Sequence, residues 1–182
     1  PLTSLNEDFD NGAKFWKTLN YSSSPVWTLT SPVSYYHGFP AHSGLKAAWI
    51  EYDTYANHND WLISPAVSIT PNSKLLHYFV RTDTPTYYSE LWQVCVREKS
   101  SPGDTTGFQV VENNIFGCYP EWSERTIDLS AYIGKIVEIA FYIFSKDRGI
   151  LAIDDVSLAG SPSSIQINDK PAYAVLNANY PN

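Results

Sequence analysis

The sequence predicts an all-β fold, a sandwich or barrel, and three observations carry that expectation. Aromatic residues make up 15% of the chain, with 13 Tyr and 6 Trp. Rings and β-branched residues fit a pleated, half-buried surface better than a helix. Short runs of such residues recur every 10 to 18 positions, separated by Pro, Gly, Ser, Asn and Asp, the texture of strands joined by turns. No stretch has the Ala/Glu/Lys/Leu/Arg bias of a long helix.

Strands are expected near 5–9, 26–30, 47–51, 61–69, 74–81, 90–98, 107–113, 122–129, 135–144 and 150–158. In "KIVEIAFYIF" the alternation points Val137, Ile139, Phe141 and Ile143 inward, and Glu138, Ala140 and Tyr142 to the other face. "SELWQVCVRE" places Trp92, Val94 and Val96 inward, with Leu91, Gln93, Cys95 and Arg97 outward. The connections "TPNSK", "TDTPTYY" and "KSSPGDTTG" are rich in turn formers. "SAYIGK" can make one helical turn opened by Ser130 and ended by Gly134. From Ser161 the alternation stops, so residues 1–160 read as one domain and 161–182 as a tail or linker.

With 182 residues the chain can bury a substantial core. A net charge of −7 gives no basic patch to displace the counterions of nucleic acid, and it suits cation binding instead. No apolar run reaches the ~18 residues of a membrane span. The chain starts at Pro1 and lacks Met, so it reads as a mature or excised piece; its acidity, aromatic richness and only two cysteines fit an extracytoplasmic bacterial protein.

The closing strand poses a chemical question. "GILAIDDVSLAG" sets Asp154 and Asp155 side by side among residues that favour burial. Neighbours on a strand face opposite ways, so at least one carboxylate meets a packed layer and needs a donor, a cation or a proton.

Three stretches, "NEDFDNG", "NDWLISPAVSI" and "EWSERTIDLSAYIGKIVEIAFYIFSKDRGILAIDDVSLAG", resemble the cleaved-adhesin domains of gingipains. They are similar too to the choice-of-anchor J domains of secreted Bacteroidetes proteins. The resemblance implies a jelly-roll β-sandwich of two antiparallel sheets, galactose-binding-like and MAM-like, with roles in cell adhesion and with bound calcium. Opening and closing strands lie close together in such a fold. Glu7, Asp8 and Asp10 around an inward Phe9 can then meet Asp154 and Asp155, offering the oxygens that Ca²⁺ takes. By that match the expected ligands are Glu7, Asp10, Asp154 and Asp155, with Asp10 and one closing aspartate foremost. The plainer alternative has Asp154 accepting backbone N–H bonds while Asp155 meets solvent, Arg148 or Lys146. The loop "TLNYSSSPVW" has no carboxylate, so a second calcium site present in some adhesin domains is not expected.

Cys95 and Cys118 are either a disulfide, worth about 3 kcal/mol by loop entropy, or two reduced thiols. His37, His42, His58 and His77 are scattered, with His77 expected in the core or at its rim, and no G-x-S-x-G, H-E-x-x-H or phosphate-loop motif accompanies them. Adjacent aspartates splay apart and make a poor acid/base pair, so no catalytic residue is expected. Loop aromatics are the other functional signal: Tyr35 and Tyr36, and Tyr87 and Tyr88, are expected to contact a ligand, with Phe39, Tyr52 and Tyr55 in similar loops. The expected function is a calcium-stabilised, non-catalytic adhesion module within a larger secreted or surface protein, its partner a host or matrix protein or a glycan. The alternatives are a carbohydrate-binding module appended to a secreted enzyme, and a structural spacer.

Overall fold

A computed structural model describes residues 1–22, 25–30, 39–82, 90–99, 104–117 and 120–160. The expected tail, 161–182, lies outside the described residues. Twelve strands form among them: β1 (Asn6–Glu7), β2 (Lys17–Asn20), β3 (Thr28–Thr30), β4 (Ala47–Ile50), β5 (Asp60–Ile63), β6 (Val67–Ser68), β7 (Leu75–Thr82), β8 (Glu90–Glu98), β9 (Gln109–Gly117), β10 (Ser123–Asp128), β11 (Ile136–Ile143) and β12 (Leu151–Ala159). The expected helical turn is a single 3-10 turn, Ser130–Tyr132.

The strands build a jelly-roll sandwich of two antiparallel sheets. The first runs β10-β7-β12-β4-β3 with β1 beside β12, and the second runs β2-β5-β11-β8-β9 with β6 beside β11. Inward residues of both sheets fill one core in which Trp92, Tyr78, Phe9 and Phe141 are fully buried. The alternation expected for β8 and β11 holds: Trp92, Val94, Val96, Val137, Ile139, Phe141 and Ile143 are all buried there. Tyr78 buries its phenol by donating to Glu112 at 2.7 Å, and Arg125 pairs with the same carboxylate. Burial keeps the Tyr78 hydroxyl far above the ordinary phenol range.

The outward faces are covered as well, which alternation alone does not foresee. Outside the first sheet, Phe39 packs with Trp49, Ile150 and Ala152 under Trp122; Phe39 is therefore buried rather than a loop aromatic open to ligand. Outside the second, Cys95 packs with Ile63 and Ala140 beneath Trp61, Tyr142 and Phe108. Cys95 does lie on the outward side of β8, but it is a buried free thiol whose pKa burial raises to about 11. Its expected partner Cys118 lies outside the described residues. Arg97, also outward and buried, pairs with Glu138 at 2.7 Å and donates to the Asp104 and Thr106 carbonyls. The one guanidinium thus ties Asp104 and Thr106, ahead of β9, to Glu138 of β11.

Candidate functional site: the carboxylates of the chain ends

Asn6 and Glu7 of β1 pair with Ser157 and Val156 of β12, so the two ends of the domain lie alongside each other as expected. Phe9 and Ile153 share the core. The β12 ladder then breaks. Between Asp154 and Ser157 its register against β7 shifts, and Asp155 takes a left-handed backbone with φ of 46°. This is a β-bulge, in which one extra residue re-aims the strand. It lets Ile153 and Val156, three positions apart, both reach the core. It also overturns the expectation that adjacent aspartates splay apart.

Both aspartates close on one loop. Asp154 Oδ2 accepts the backbone N–H groups of His42 at 2.9 Å and Ser43 at 3.3 Å, and Oδ1 accepts the Asp155 N–H at 2.8 Å. Asp155 Oδ2 meets His42 Nδ1 at 2.5 Å, and its Oδ1 takes the Ser43 hydroxyl at 2.7 Å. Asp155 thus bonds His42 and Ser43 rather than Arg148 or Lys146. The His42 ring lies stacked on Phe79, with centroids 3.5 Å apart.

Asp10 grips the next three residues of the same loop. Its Oδ1 accepts the N–H groups of Leu45 and Lys46, each at 2.8 Å, while the Lys46 ammonium donates to the Asp10 carbonyl. Gly44 runs so close that a Cβ there would lie 1.9 Å from Asp10 Oδ2, and its φ is 56°. Only glycine fits that combination. Glu7 stands apart: its Oε1 accepts the Phe9 N–H at 2.9 Å, and burial, then the neighbouring Asp8, raise its pKa. Of the four expected ligands, then, Asp10, Asp154 and Asp155 share the loop His42–Lys46, and Glu7 bonds its own turn. The loop itself carries no signal in the sequence except Gly44.

Asp154 is fully buried. Loss of solvation, helped by the negative charge of Asp155, lifts its pKa to about 7 against the pull of three N–H donors. Among the described residues no Lys or Arg is paired with it. As in the plainer alternative, Asp154 accepts backbone N–H bonds, three of them, and the Asp155 and Asp10 carboxylates are likewise engaged by donors of the same loop; an ion such as Ca²⁺ would have to share these oxygens with those donors. No three Asp, Glu, His or Cys side chains converge among the described residues, so such an ion would draw its remaining oxygens from carbonyls and water.

The expected ligand-contact residues Tyr35, Tyr36, Tyr87 and Tyr88 lie outside the described residues. Tyr55 is 90% exposed. His77 is buried and bonds Thr126 and Glu124. His58 and Asp60 form a buried pair at 2.6 Å, with the Ser22 hydroxyl on the same carboxylate oxygen. No described helix is long and apolar enough to cross a membrane.

No family model matches the chain. Hemagglutinin A of Porphyromonas gingivalis is 29% identical over 123 aligned residues, covering 58% of this chain and 5% of that protein. The chain therefore spans a small fraction of the curated relative it matches. The K3 cleaved adhesin domain of Lys-gingipain, from the same organism, superposes with a TM-score of 0.69 and 25% identity, covering 85% of this chain and 96% of that one. The K1 domain gives 0.68 at 22% identity, covering 88% and 99%. A family 22 carbohydrate-binding module of Clostridium thermocellum Xyn10B shares the fold at a TM-score of 0.52 and 10% identity, covering 88% and 96%.

Proposed function

We propose that the chain, which belongs with the cleaved-adhesin domains, is a non-catalytic adhesion or binding module of a secreted or cell-surface bacterial protein. The observation that carries this reading is the likeness to the K3 adhesin domain across almost the whole of that domain. The partner is a host or matrix protein or a glycan, met as one module among several. Calcium, in this proposal, stabilises the module through Asp10, Asp154 and Asp155; the burial of Asp154, which raises its pKa, favours a cation beside it. The second reading, a carbohydrate-binding module serving an attached enzyme, draws on the fold shared with a xylanase module.

Immobilised chain should be tested against purified collagen and fibronectin, and labelled chain against a glycan array. Saturable retention of a protein or a glycan is the expected result. A chain inert in both is a spacer, and that outcome overturns the proposal.

A further inference from the structure

We propose that the outward face of the second sheet binds a neutral glycan chain laid across the strands, a placement that rests on reading the domain as a binding module. The strand register sets Leu19 opposite Trp61, Trp61 opposite Tyr142, Tyr142 opposite Gln93, and Gln93 opposite Asn113. Residues directly opposite share a face, so these five form one row from the β2 edge to the β9 edge. Four interstrand spacings make it about 19 Å long. That length suits an oligosaccharide rather than a single sugar.

The row has the chemistry of a sugar platform. Trp61 and Tyr142 stack with centroids 4.1 Å apart, Phe144 continues the stack 5.5 Å beyond Tyr142, and Phe108 lies 5.4 Å from Trp61. All four rings are only half-buried. The Trp61 indole N–H donates to Asn59 Oδ1 at 3.2 Å. Rings held by one another and by the floor of Ile63, Ala140 and Cys95 lose little freedom when a ligand arrives. Because Trp61, Tyr142 and Phe144 stack face to face and the Arg97 guanidinium lies 4.5 Å over Phe108, what they offer to the C–H groups of sugars is mainly apolar ring edge. At the other end, the Gln93 amide donates to Asn113 Oδ1 at 3.3 Å in solvent, and one bond leaves most of the capacity of two amides for hydroxyls.

Charge narrows the partner. The row holds no ionisable side chain except the Tyr142 phenol, whose pKa burial raises, although the chain carries a net −7. Of the cations on the face, Arg97 and Lys99 are paired with Glu138, and the exposed Lys17 stands opposite Ile63 at the β2 edge, beside the row rather than in it. A neutral, hydroxyl-rich polymer complements such a row, whereas a polyanion would find a single counter-charge, Lys17, at one edge of it.

Affinity electrophoresis of the whole chain in native gels containing xylan, mixed-linkage β-glucan or galactomannan, with heparin as the anionic control, tests the assignment. At least one neutral polysaccharide should retard the protein and heparin should not. Trp61→Ala should weaken the association about tenfold or more, the loss of one aromatic anchor. Gln93→Ala with Asn113→Ala, which removes no core contact, should weaken it about three- to tenfold with an unchanged thermal midpoint. Retardation by none of the neutral polysaccharides overturns the inference. So does undiminished binding by both face variants, or binding lost in Tyr55→Ala and kept in the face variants. In that last case the module reading survives with its site elsewhere; that reading fails only if the chain also ignores proteins.

Discussion

Asp154 accepts the backbone N–H of His42 at 2.9 Å, a bond that ties the closing strand to a loop more than a hundred residues earlier. Together with Asp155 and Asp10, it holds four residues of the loop, His42, Ser43, Leu45 and Lys46, by main-chain and side-chain bonds, with Gly44 close against Asp10 between them. The loop covers what would otherwise be bare carboxylates, and the carboxylates fix a loop that has no ladder of its own.

Asp154→Ala should cost about 2–4 kcal/mol, because it strands N–H groups that donate to a charged acceptor. For a chain of this size that is roughly 4–16 °C of thermal midpoint. Asp154→Asn, which keeps an acceptor, should cost less. Calorimetry of both variants checks the order.

The pH dependence follows from the raised pKa of Asp154. Its carboxyl holds a proton up to about pH 7 in the folded chain but only to about 3.8 in the unfolded one. Between those values the folded state binds more protons, so stability falls as pH rises. In chelator the parent chain should therefore lose stability relative to Asp154→Asn between pH 4 and 7, measured by urea denaturation across that range.

Gly44→Ala should destabilise by about 2 kcal/mol or more, from the left-handed backbone and the overlap with Asp10. Gly12→Ala is the control: its φ is 84° as well, but no atom stands within 4 Å of the added Cβ. The difference between the two midpoints isolates the Asp10 contact.

On the opposite face, Arg97→Met leaves the buried Glu138 carboxylate with Lys99 alone and should cost about 3 kcal/mol. Arg97→Met combined with Glu138→Leu should recover much of that loss. Folded chain should also leave Cys95 unlabelled by thiol reagents, since only the thiolate reacts and burial suppresses it; labelling should appear on unfolding.

The sequence makes the sandwich legible because alternation in β8 and β11 is strict, and because "IDDV" near one end answers "EDFD" near the other. Two departures have local causes. The expected strand 61–69 divides into β5 and β6, since Pro65 cannot donate to a ladder. The unexpected β2, "KTLN", offers a single apolar residue, Leu19, and so no period to detect. The bulge was hidden in plain composition: its signal is that Ile153 and Val156 cannot face one core at a spacing of three unless a residue is inserted. Burial of Cys95 and Arg97 was illegible for another reason. Their outward direction follows from alternation, but part of the cover comes from Phe108, beside Trp61 and Tyr142 over Cys95 and under the Arg97 guanidinium, and local periodicity does not place Phe108.

The most direct test is the thermal midpoint of the parent chain and of Asp10→Ala and Asp154→Asn, each in chelator and in millimolar calcium. A cation held at the junction of the two chain ends at a hundredfold excess over Kd adds about 2.7 kcal/mol, about 5–10 °C here. That rise is expected in the parent chain, and little or none in either variant. Identical melting of the parent chain in both solutions would contradict it.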